Sequence, residues 1–315
     1  MKSLFLLVSL LTSILSGNLS NQRVNAFTED ANGHIWIATS RGLNKFNVHE
    51  YHQYFCSADS LSLPDNQIND IHCSRDGRLW VATANGLAYR TEAGNFRRIP
   101  IPGDNRNFSR IIEAPDGRML FSNTLSLFAF DSGTEQLRPV VRDYLAFGYP
   151  SEAWVGERMY VLTGGTTLRV YESGDFSVRD TIAIPFTAYH LCHAGNGELW
   201  LAGLGNLRIY DTRSGDWKPL PEAIRRESRI VGGDVDIIFP VDDNTLLLNV
   251  IGKGMFCWQR NLDRVLFQND PGFPYEVPSE EIRTIFRDSR QNLWFGTYDQ
   301  GYATSYHYRD GFNNN

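Results

Sequence analysis

Two short clusters contain residue types that can bind metal ions or transfer protons. Residues 190–193 read His-Leu-Cys-His, and residues 234–236 read Asp-Val-Asp. Side chains alternate between the two faces of a strand, so His190 and His193 would need distorted geometry to share a metal ion. Calcium requires about six to eight converging oxygens, which a pair of aspartates does not supply. We therefore expect no metal ion and no cofactor.

Motifs of known catalytic chemistry are missing from the sequence. It has no glycine-rich phosphate-binding loop, no Gly-x-Ser-x-Gly nucleophile motif and no His-Glu-x-x-His zinc motif. A glycan hydrolase or lyase would need paired acids, or a base beside an aromatic ring, at one site. The sequence alone does not bring such groups together, and we expect no catalytic residue. The net charge of −6 also argues against a nucleic-acid partner.

One pattern recurs along the chain: Asp-x-x-Gly-x-hydrophobic-Trp-hydrophobic-Ala/Gly-Thr. Its tryptophans are Trp36, Trp80, Trp200 and Trp294. Degenerate copies place three other residues in the same position, which we call the Trp slot: Leu120, Tyr160 and Leu247. The intervals between the seven slots are 44, 40, 40, 40, 47 and 47 residues. A period of roughly 20–50 residues is typical of solenoids, propellers and arrays.

Each repeat contains four short strand signals. The residues before the Asp-Gly turn alternate in polarity, the Trp-containing run is β-branched and aromatic, and two more short strands follow. Four strands per period predict an all-β, seven-bladed β-propeller of four-stranded blades over residues 18–315. The predicted repeats lie near 24–55, 68–100, 108–141, 150–182, 189–220, 235–267 and 282–315.

The two ends of the chain carry further predictions. Residues 1–17 have the basic start, short apolar run and small residues of a secretory signal peptide, which predicts export to the periplasm and no membrane span after cleavage. An uncleaved anchor is the alternative. The last blade has too few residues for a good fourth strand. We expect residues 18–23 to close the ring beside it, or else residues 311–315 to be a frayed tail.

The four tryptophans in the Trp slot could be taken for sugar-stacking platforms. Their constant place in every repeat instead predicts packing between blades. The Asp and Gly of the pattern are expected to form turns. Free thiols are expected at the four cysteines, because they lie in different repeats without metal or redox spacing: Cys56, Cys73, Cys192 and Cys257.

Candidate ligand-binding residues lie in the loops between the second and third strands and between blades. Planar polar groups and aromatic rings in these loops suit a sugar, through hydrogen bonds and C–H contacts with ring faces. The candidates are Arg41, Asn85, Tyr189, Arg229, Lys253, Tyr298 and Asp299.

The repeats resemble the two-component regulator propeller repeat. Residues 24–43 read V-x-x-F-x-x-D-x-x-G-x-I-W-I-A-T-x-x-G-L. Residues 68–87 begin with I-x-x-I and end with D-G-R-L-W-V-A-T-x-x-G-L. Residues 60–68 are similar to the linker that connects blades in that family. The resemblance is strong in repeats one, two, five and seven. It implies the periplasmic sensor of a hybrid two-component system, of a kind common in Bacteroidetes, with an oligosaccharide ligand.

The chain departs from the plan of that family. It has one propeller where such sensors have two, and it has neither kinase motifs nor a phosphoacceptor domain. The resemblance therefore implies a non-catalytic sensor or ligand-recognition propeller that signals through a sensor kinase subunit or through self-association. The alternatives are a periplasmic protein-interaction scaffold and a propeller polysaccharide lyase or glycosidase.

Overall fold

The computed structural model describes residues 19–47, 50–142, 144, 150–278 and 281–306. The predicted signal peptide, residues 1–17, lies outside them. The described residues form a seven-bladed β-propeller of antiparallel sheets, which confirms the predicted fold class. Six sheets have four strands and follow chain order. The seventh has three strands among the described residues, and its expected fourth strand would fall in 307–315, outside the described part.

The strands of the seven blades are as follows. Blade 1 contains β1 (Val24–Glu29), β2 (Ile35–Thr39), β3 (Gly42–Phe46) and β4 (Tyr51–Tyr54). Blade 2 contains β5 (Ile68–Cys73), β6 (Leu79–Thr83), β7 (Gly86–Arg90) and β8 (Phe96–Arg98). Blade 3 contains β9 (Phe108–Glu113), β10 (Met119–Asn123), β11 (Ser126–Asp131) and β12 (Gln136–Arg142). Blade 4 contains β13 (Glu152–Val155), β14 (Arg158–Thr163), β15 (Thr167–Glu172) and β16 (Val178–Ala183).

Blade 5 contains β17 (Ala188–His193), β18 (Glu198–Gly203), β19 (Asn206–Asp211) and β20 (Asp216–Lys218). Blade 6 contains β21 (Val235–Pro240), β22 (Thr245–Val250), β23 (Gly254–Gln259) and β24 (Arg264–Phe267). Blade 7 contains β25 (Ile282–Arg287), β26 (Leu293–Thr297) and β27 (Tyr302–Ser305). A five-residue helix, α1 (Glu222–Arg226), lies in the connection from blade 5 to blade 6.

The hydrophobic core lies between the blades. Side chains of the second strands fill it from both faces, and Trp36, Trp80 and Trp200 are at most 2% exposed, while Trp294 is 6% exposed. Trp200, for example, packs with residues of blade 6 such as Trp258, whose ring centroid is 5.5 Å away. Burial of an aromatic side chain at each interface holds neighbouring blades together.

The N-terminal segment reaches both neighbours of the ring junction. Ser20 N donates to Asn44 Oδ1 at 2.9 Å in blade 1, and Gly301 N of blade 7 donates to Gln22 O at 2.8 Å. Leu19 joins the apolar cluster that contains Trp294. The segment therefore contacts the last blade without adding a strand to it.

The first strands surround the central channel, because each one packs on the first strand of at least one neighbouring blade. We call the face that carries the loops between second and third strands and the connections between blades the upper face. The first strands begin at this face, so the residues at their starts line the upper opening of the channel.

Candidate functional site

A β-bulge stands near the start of the first strand in six blades. In blade 1, Val24 pairs with Thr39 and Ala26 with Ala38, so Asn25 has no partner in the ladder. The same interruption occurs in five other blades. The unpaired residues are Asn25, Asn69, Ser109, Tyr189, Asp236 and Arg283, and we call them the bulge residues. Each stands eleven positions before a Trp slot. A bulge leaves one residue outside the pairing and redirects its side chain.

Several bulge residues bond to the next blade around the ring. Asn25 Nδ2 donates to Ile68 O at 2.6 Å, and Asn69 Nδ2 donates to Phe108 O at 2.7 Å. Tyr189 Oη donates to the carbonyl immediately before the next bulge residue, Val235 O, at 3.3 Å. These bonds fix the bulge side chains against the neighbouring backbone.

The junction between the last and first blades is closed in a related way. Arg283 Nε donates to Asn25 Oδ1 at 2.8 Å. On the outer side of the same junction, the hydroxyls of Tyr51 and Tyr302 are 2.5 Å apart. A bond between two bulge residues therefore also links blade 7 to blade 1.

The residues that directly follow the bulges form a second layer, deeper in the channel. Both oxygens of Asp70 accept backbone amides, from Ile71 at 2.9 Å and from Ile111 of the next blade at 2.8 Å. Arg110 pairs with Glu152 at 3.2 Å. Burial lowers the pKa of Arg110, but the carboxylates of Glu152 and Asp70 outweigh it, so its pKa is raised.

His190 of blade 5 is the third polar side chain of this layer and is 3% exposed. Its Nδ1 lies 3.1 Å from Asp236 O. Burial, together with the nearby positive charge of Arg110, lowers its pKa to about 3. The imidazole is therefore neutral at physiological pH.

Both layers open into a cavity of about 500 Å³ at the upper face, which we call the channel mouth. Its volume is within the range of small-molecule sites. All seven blades contribute to its wall, which includes Asn25, Asn69, Asp70, Ser109, Arg110, Pro150, His190, Asp236, Arg283, Thr284 and Tyr298.

A second cavity of about 350 Å³ adjoins the mouth between blades 6 and 7, and we call it the blade 6/7 cleft. Lys253 and Glu281 line it, and Asp236 and Tyr298 line both cavities. Asn249 Nδ2 donates to Asp236 Oδ1 at 2.7 Å. Burial raises the pKa of Asp236 to about 6 despite this bond.

The loop residues predicted from the sequence lie in four different surroundings. Lys253 and Tyr298 lie together in the blade 6/7 cleft, and Tyr298 also reaches the mouth. Tyr189 is a bulge residue. Arg229 is half-buried and already engaged by its own neighbours, because it pairs with Glu227 at 2.8 Å and stacks over Phe267. The remaining three are exposed and line neither cavity: Arg41, Asn85 and Asp299.

Most of the residues that wall the mouth were missed by the loop-based prediction. They stand in the first strands, ten and eleven positions before the Trp slots. Aligning the repeats on the slot and reading these two columns would have found them. The equivalent of the bulge residues in blade 4 is Tyr149, which lies outside the described residues.

Within the described ranges, no three metal-binding side chains lie together, and no helix has the length and apolar character needed to cross a bilayer. The four cysteines are free. Burial raises the pKa of Cys73, Cys192 and Cys257 to about 12, so these thiols stay protonated.

A family model described as a two component regulator propeller matches residues 18–41, 62–85 and 276–299. Each match runs from 18 residues before a Trp slot to five after it, in blades 1, 2 and 7. Three repeats of this chain therefore match the two component regulator propeller model. Blade 5, where the resemblance was also expected to be strong, is not among the matched stretches. Ala194 and Gly203 replace the Asp and Thr of the pattern there.

Solved structures with the same fold include two extracellular domains from B. thetaiotaomicron. The domain of the hybrid two component system BT3049 gives a TM-score of 0.73 at 19% identity, covering 91% of this chain and 40% of that one. The domain of the one component system BT4673 gives 0.71 at 14% identity, covering 94% and 42%. The chain therefore spans about two fifths of these relatives.

An enzyme has a similar fold as well. Virginiamycin B lyase from Staphylococcus aureus gives a TM-score of 0.68 at 16% identity, covering 92% of this chain and 97% of that one. No curated protein matches the sequence significantly. At these identities the likeness to solved structures establishes the fold alone.

Proposed function

We propose that the protein is an exported sensor propeller that recognises an oligosaccharide at the channel mouth without converting it. The observation that carries the proposal is the mouth itself, a cavity of about 500 Å³ to which every blade contributes. Its rim combines amide, guanidinium and phenol side chains from Asn69, Arg283 and Tyr298. Such planar polar groups and ring faces suit the hydroxyls and C–H faces of sugars.

The rim is held in place before any ligand binds. Asn25 and Asn69 donate to the neighbouring blade, and Arg283 is fixed by Asn25. Side chains that are already ordered lose little conformational entropy when they bind a ligand. A preorganised rim supports selective recognition of a polar ligand.

The sensor role and the export are supported by the comparisons. The repeats match a two-component regulator propeller model, and structures of similar fold are extracellular domains of two-component and one-component systems. We propose that the signal passes by protein contact to a sensor kinase subunit or to a second copy of this chain. Export would begin with the predicted signal peptide, residues 1–17.

A protein-contact role is the second candidate, and exposed apolar side chains favour it. Four loops of the upper face carry them: Leu125 is 58% exposed, Leu204 75%, Val231 44% and Ile251 48%. Apolar side chains gathered on one face are typical of contact surfaces. Such a surface is compatible with ligand binding, since the same face holds the mouth.

The hydrogen bonds of the carboxylates at the mouth support a catalytic role less than they support ligand binding. Both oxygens of Asp70 already accept backbone amides, and one oxygen of Asp236 accepts the amide of Asn249. These hydrogen bonds give the buried carboxylates a structural role, because buried polar groups need hydrogen-bond partners. A lyase or glycosidase is therefore our third hypothesis, which the experiment below also tests.

The experiment is a thermal-shift screen of the full chain against oligosaccharides, with each sugar analysed by chromatography afterwards. At 100 times its Kd, a ligand adds about 2.7 kcal/mol of stability. We expect one glycan class to raise the melting temperature and to be recovered intact. Tyr298→Ala should abolish the shift. Asn85→Ala, in the equivalent loop of blade 2 but outside both cavities, should preserve it.

Three other outcomes would contradict the proposal. A flat panel with a well-folded protein would favour the protein-contact role. Recovery of cleaved sugar would favour the enzyme. A shift that Asn85→Ala abolishes and Tyr298→Ala preserves would place the ligand away from the mouth.

A further inference from the structure

Two arginines lie beside the same tyrosine at the junction of blades 7 and 1. The guanidinium carbon of Arg283 is 5.2 Å from the ring centroid of Tyr298, and that of Arg23 is 5.3 Å from it. Arg283 and Tyr298 line the channel mouth. Arg23 is exposed, immediately before β1. Both positive charges thus lie beside Tyr298, and that of Arg283 is part of the wall of the mouth.

Neither guanidinium is neutralised by an acidic side chain of the described chain. Arg283 uses Nε for the bond to Asn25, and its two terminal nitrogens have no hydrogen bond or ion pair among the described residues. Within the part of the chain that the structure describes, the guanidinium of Arg23 stacks on Tyr298 and has no ion pair. By contrast, Arg110 pairs with Glu152 and Arg229 with Glu227. Unpaired, preoriented terminal nitrogens are the geometry with which arginine binds a carboxylate in a bidentate manner.

On the other side of Tyr298 the acidic side chains outnumber the basic ones, with two carboxylates and the single ammonium group of Lys253 lining the blade 6/7 cleft. Asp236 and Glu281 line the blade 6/7 cleft, and their carboxylates interact unfavourably with one another. An anionic group would be repelled from that side and attracted to Arg283 and Arg23. The charge distribution therefore gives an anionic ligand one orientation across the mouth.

We propose that the ligand of the mouth is an acidic saccharide whose uronic-acid carboxylate binds Arg283 and Arg23 beside Tyr298. This inference rests on the proposed function, because it assumes that the mouth binds a saccharide. It adds the charge of the ligand and the residues that recognise it. Recognition by a bidentate Arg–carboxylate pair gives orientation as well as affinity.

The test compares sugars that differ only in charge. The full chain is titrated by calorimetry with trigalacturonate and with other uronic-acid di- and trisaccharides, each beside its carboxyl-reduced neutral form and a sulfated neutral counterpart. We expect an acidic sugar to bind at least tenfold more tightly than its reduced form. Its affinity should fall as NaCl rises from about 50 to 500 mM, because salt screens exposed charges.

The variants localise the effect. Arg283→Gln removes the charge but keeps a side-chain amide that can donate to Asn25, and Arg23→Ala removes an exposed charge outside the ladder. Each should weaken binding of the acidic sugar about tenfold or more and leave the reduced form unaffected. Arg138→Ala, on an exposed position of β12, is the control and should change neither. If Arg283→Gln fails to fold, Arg23→Ala carries the test.

The outcomes separate the two proposals. Equal binding of acidic and reduced sugars, or acidic binding that neither arginine variant weakens, would overturn this inference while the saccharide-binding function stands. Preference for the sulfated counterpart over the carboxylate would overturn the uronic-acid assignment. A panel without any binding sugar would instead overturn the proposed function, and this inference with it.

Discussion

The indole Nε1 of Trp294 donates a hydrogen bond of 2.9 Å to Oδ2 of Asp288, six residues earlier. The other oxygen of Asp288 accepts the amides of Arg290 and Asn292, so one carboxylate joins the turn to the buried ring. Asp30 serves Trp36 in the same way at 3.0 Å. The recurring aspartate therefore has a definite physical reason, since it satisfies a donor that burial would otherwise leave without a partner.

Blade 5 lacks this bond, which leads to a stability prediction. Trp200 is fully buried, and its Nε1 has no hydrogen-bond partner among the described residues, because Ala194 stands where the other blades with a slot tryptophan have Asp or Ser. In blade 2 the hydroxyl of Ser74 accepts Trp80 Nε1 at 3.0 Å. Ala194→Ser should supply the missing acceptor and raise the free energy of unfolding by about 1 kcal/mol. Urea denaturation measures the change.

The reverse exchange provides the matched control. Ser74→Ala should leave Trp80 Nε1 unsatisfied and lower the free energy of unfolding by about 1–3 kcal/mol. If Ala194→Ser destabilises the protein while Ser74→Ala is neutral, the indole acceptor does not explain the recurring residue.

The threonine that follows the Trp slot gives a second stability prediction. Thr83 is fully buried, and its Oγ1 donates to Gly86 O at 2.8 Å and accepts Asn85 N at 3.2 Å. Valine has nearly the same shape but no hydroxyl. Thr83→Val should therefore lower the free energy of unfolding by about 1–3 kcal/mol, measured by urea denaturation. Thr124→Val, in an equivalent upper-face loop, should cost less, and equal effects would contradict this explanation.

Asp236 predicts a pH dependence of stability. Burial raises its pKa in the folded protein from the ordinary 3.8 to about 6, so folding favours the protonated form. This contribution is fully present below about pH 4 and is lost as pH rises through 6, with a limit of about 3 kcal/mol. Asp236→Asn should therefore stabilise the protein more at pH 7 than at pH 4. Urea denaturation at both values checks this, and an identical gain at both would contradict the raised pKa.

Export of the chain can be tested directly. If residues 1–17 act as a signal peptide, the full chain expressed in a Gram-negative host should be recovered from the periplasm with Asn18 as its first residue. Intact-mass measurement identifies the terminus. Retention of Met1 on a membrane-bound product would favour the uncleaved anchor.

The repeat period and the recurring sequence pattern predicted the fold, but they did not predict the residues that line the channel mouth. Spacing of the Trp slots predicted seven blades even where Leu120 and Tyr160 replace tryptophan, because blade geometry fixes the repeat length. The ligand-binding prediction relied on loop polarity, which does not distinguish the exposed Asn85 from the cavity-lining Tyr298. Nor does polarity show that Arg229 is occupied by Glu227.

The bulges escaped prediction for a different reason. A strand is predicted from side chains that alternate between polar and apolar along the sequence. One extra residue at the start of the strand shifts this alternation by a single position, which the sequence alone does not reveal. Asn25, Asn69 and Arg283 also differ in chemistry, so no residue type marks the column. What they share is a place outside the ladder, which depends on strand pairing and not on the residue itself.

That place outside the ladder has an evolutionary consequence. Because a bulge residue makes no pairing bond in its own blade, Asn, Ser, Tyr, Asp and Arg all occupy the position while the strands around it keep the same register. Selection can therefore change the side chains around the channel mouth in one blade without altering the others. A library randomised at these positions would vary ligand preference on a constant framework.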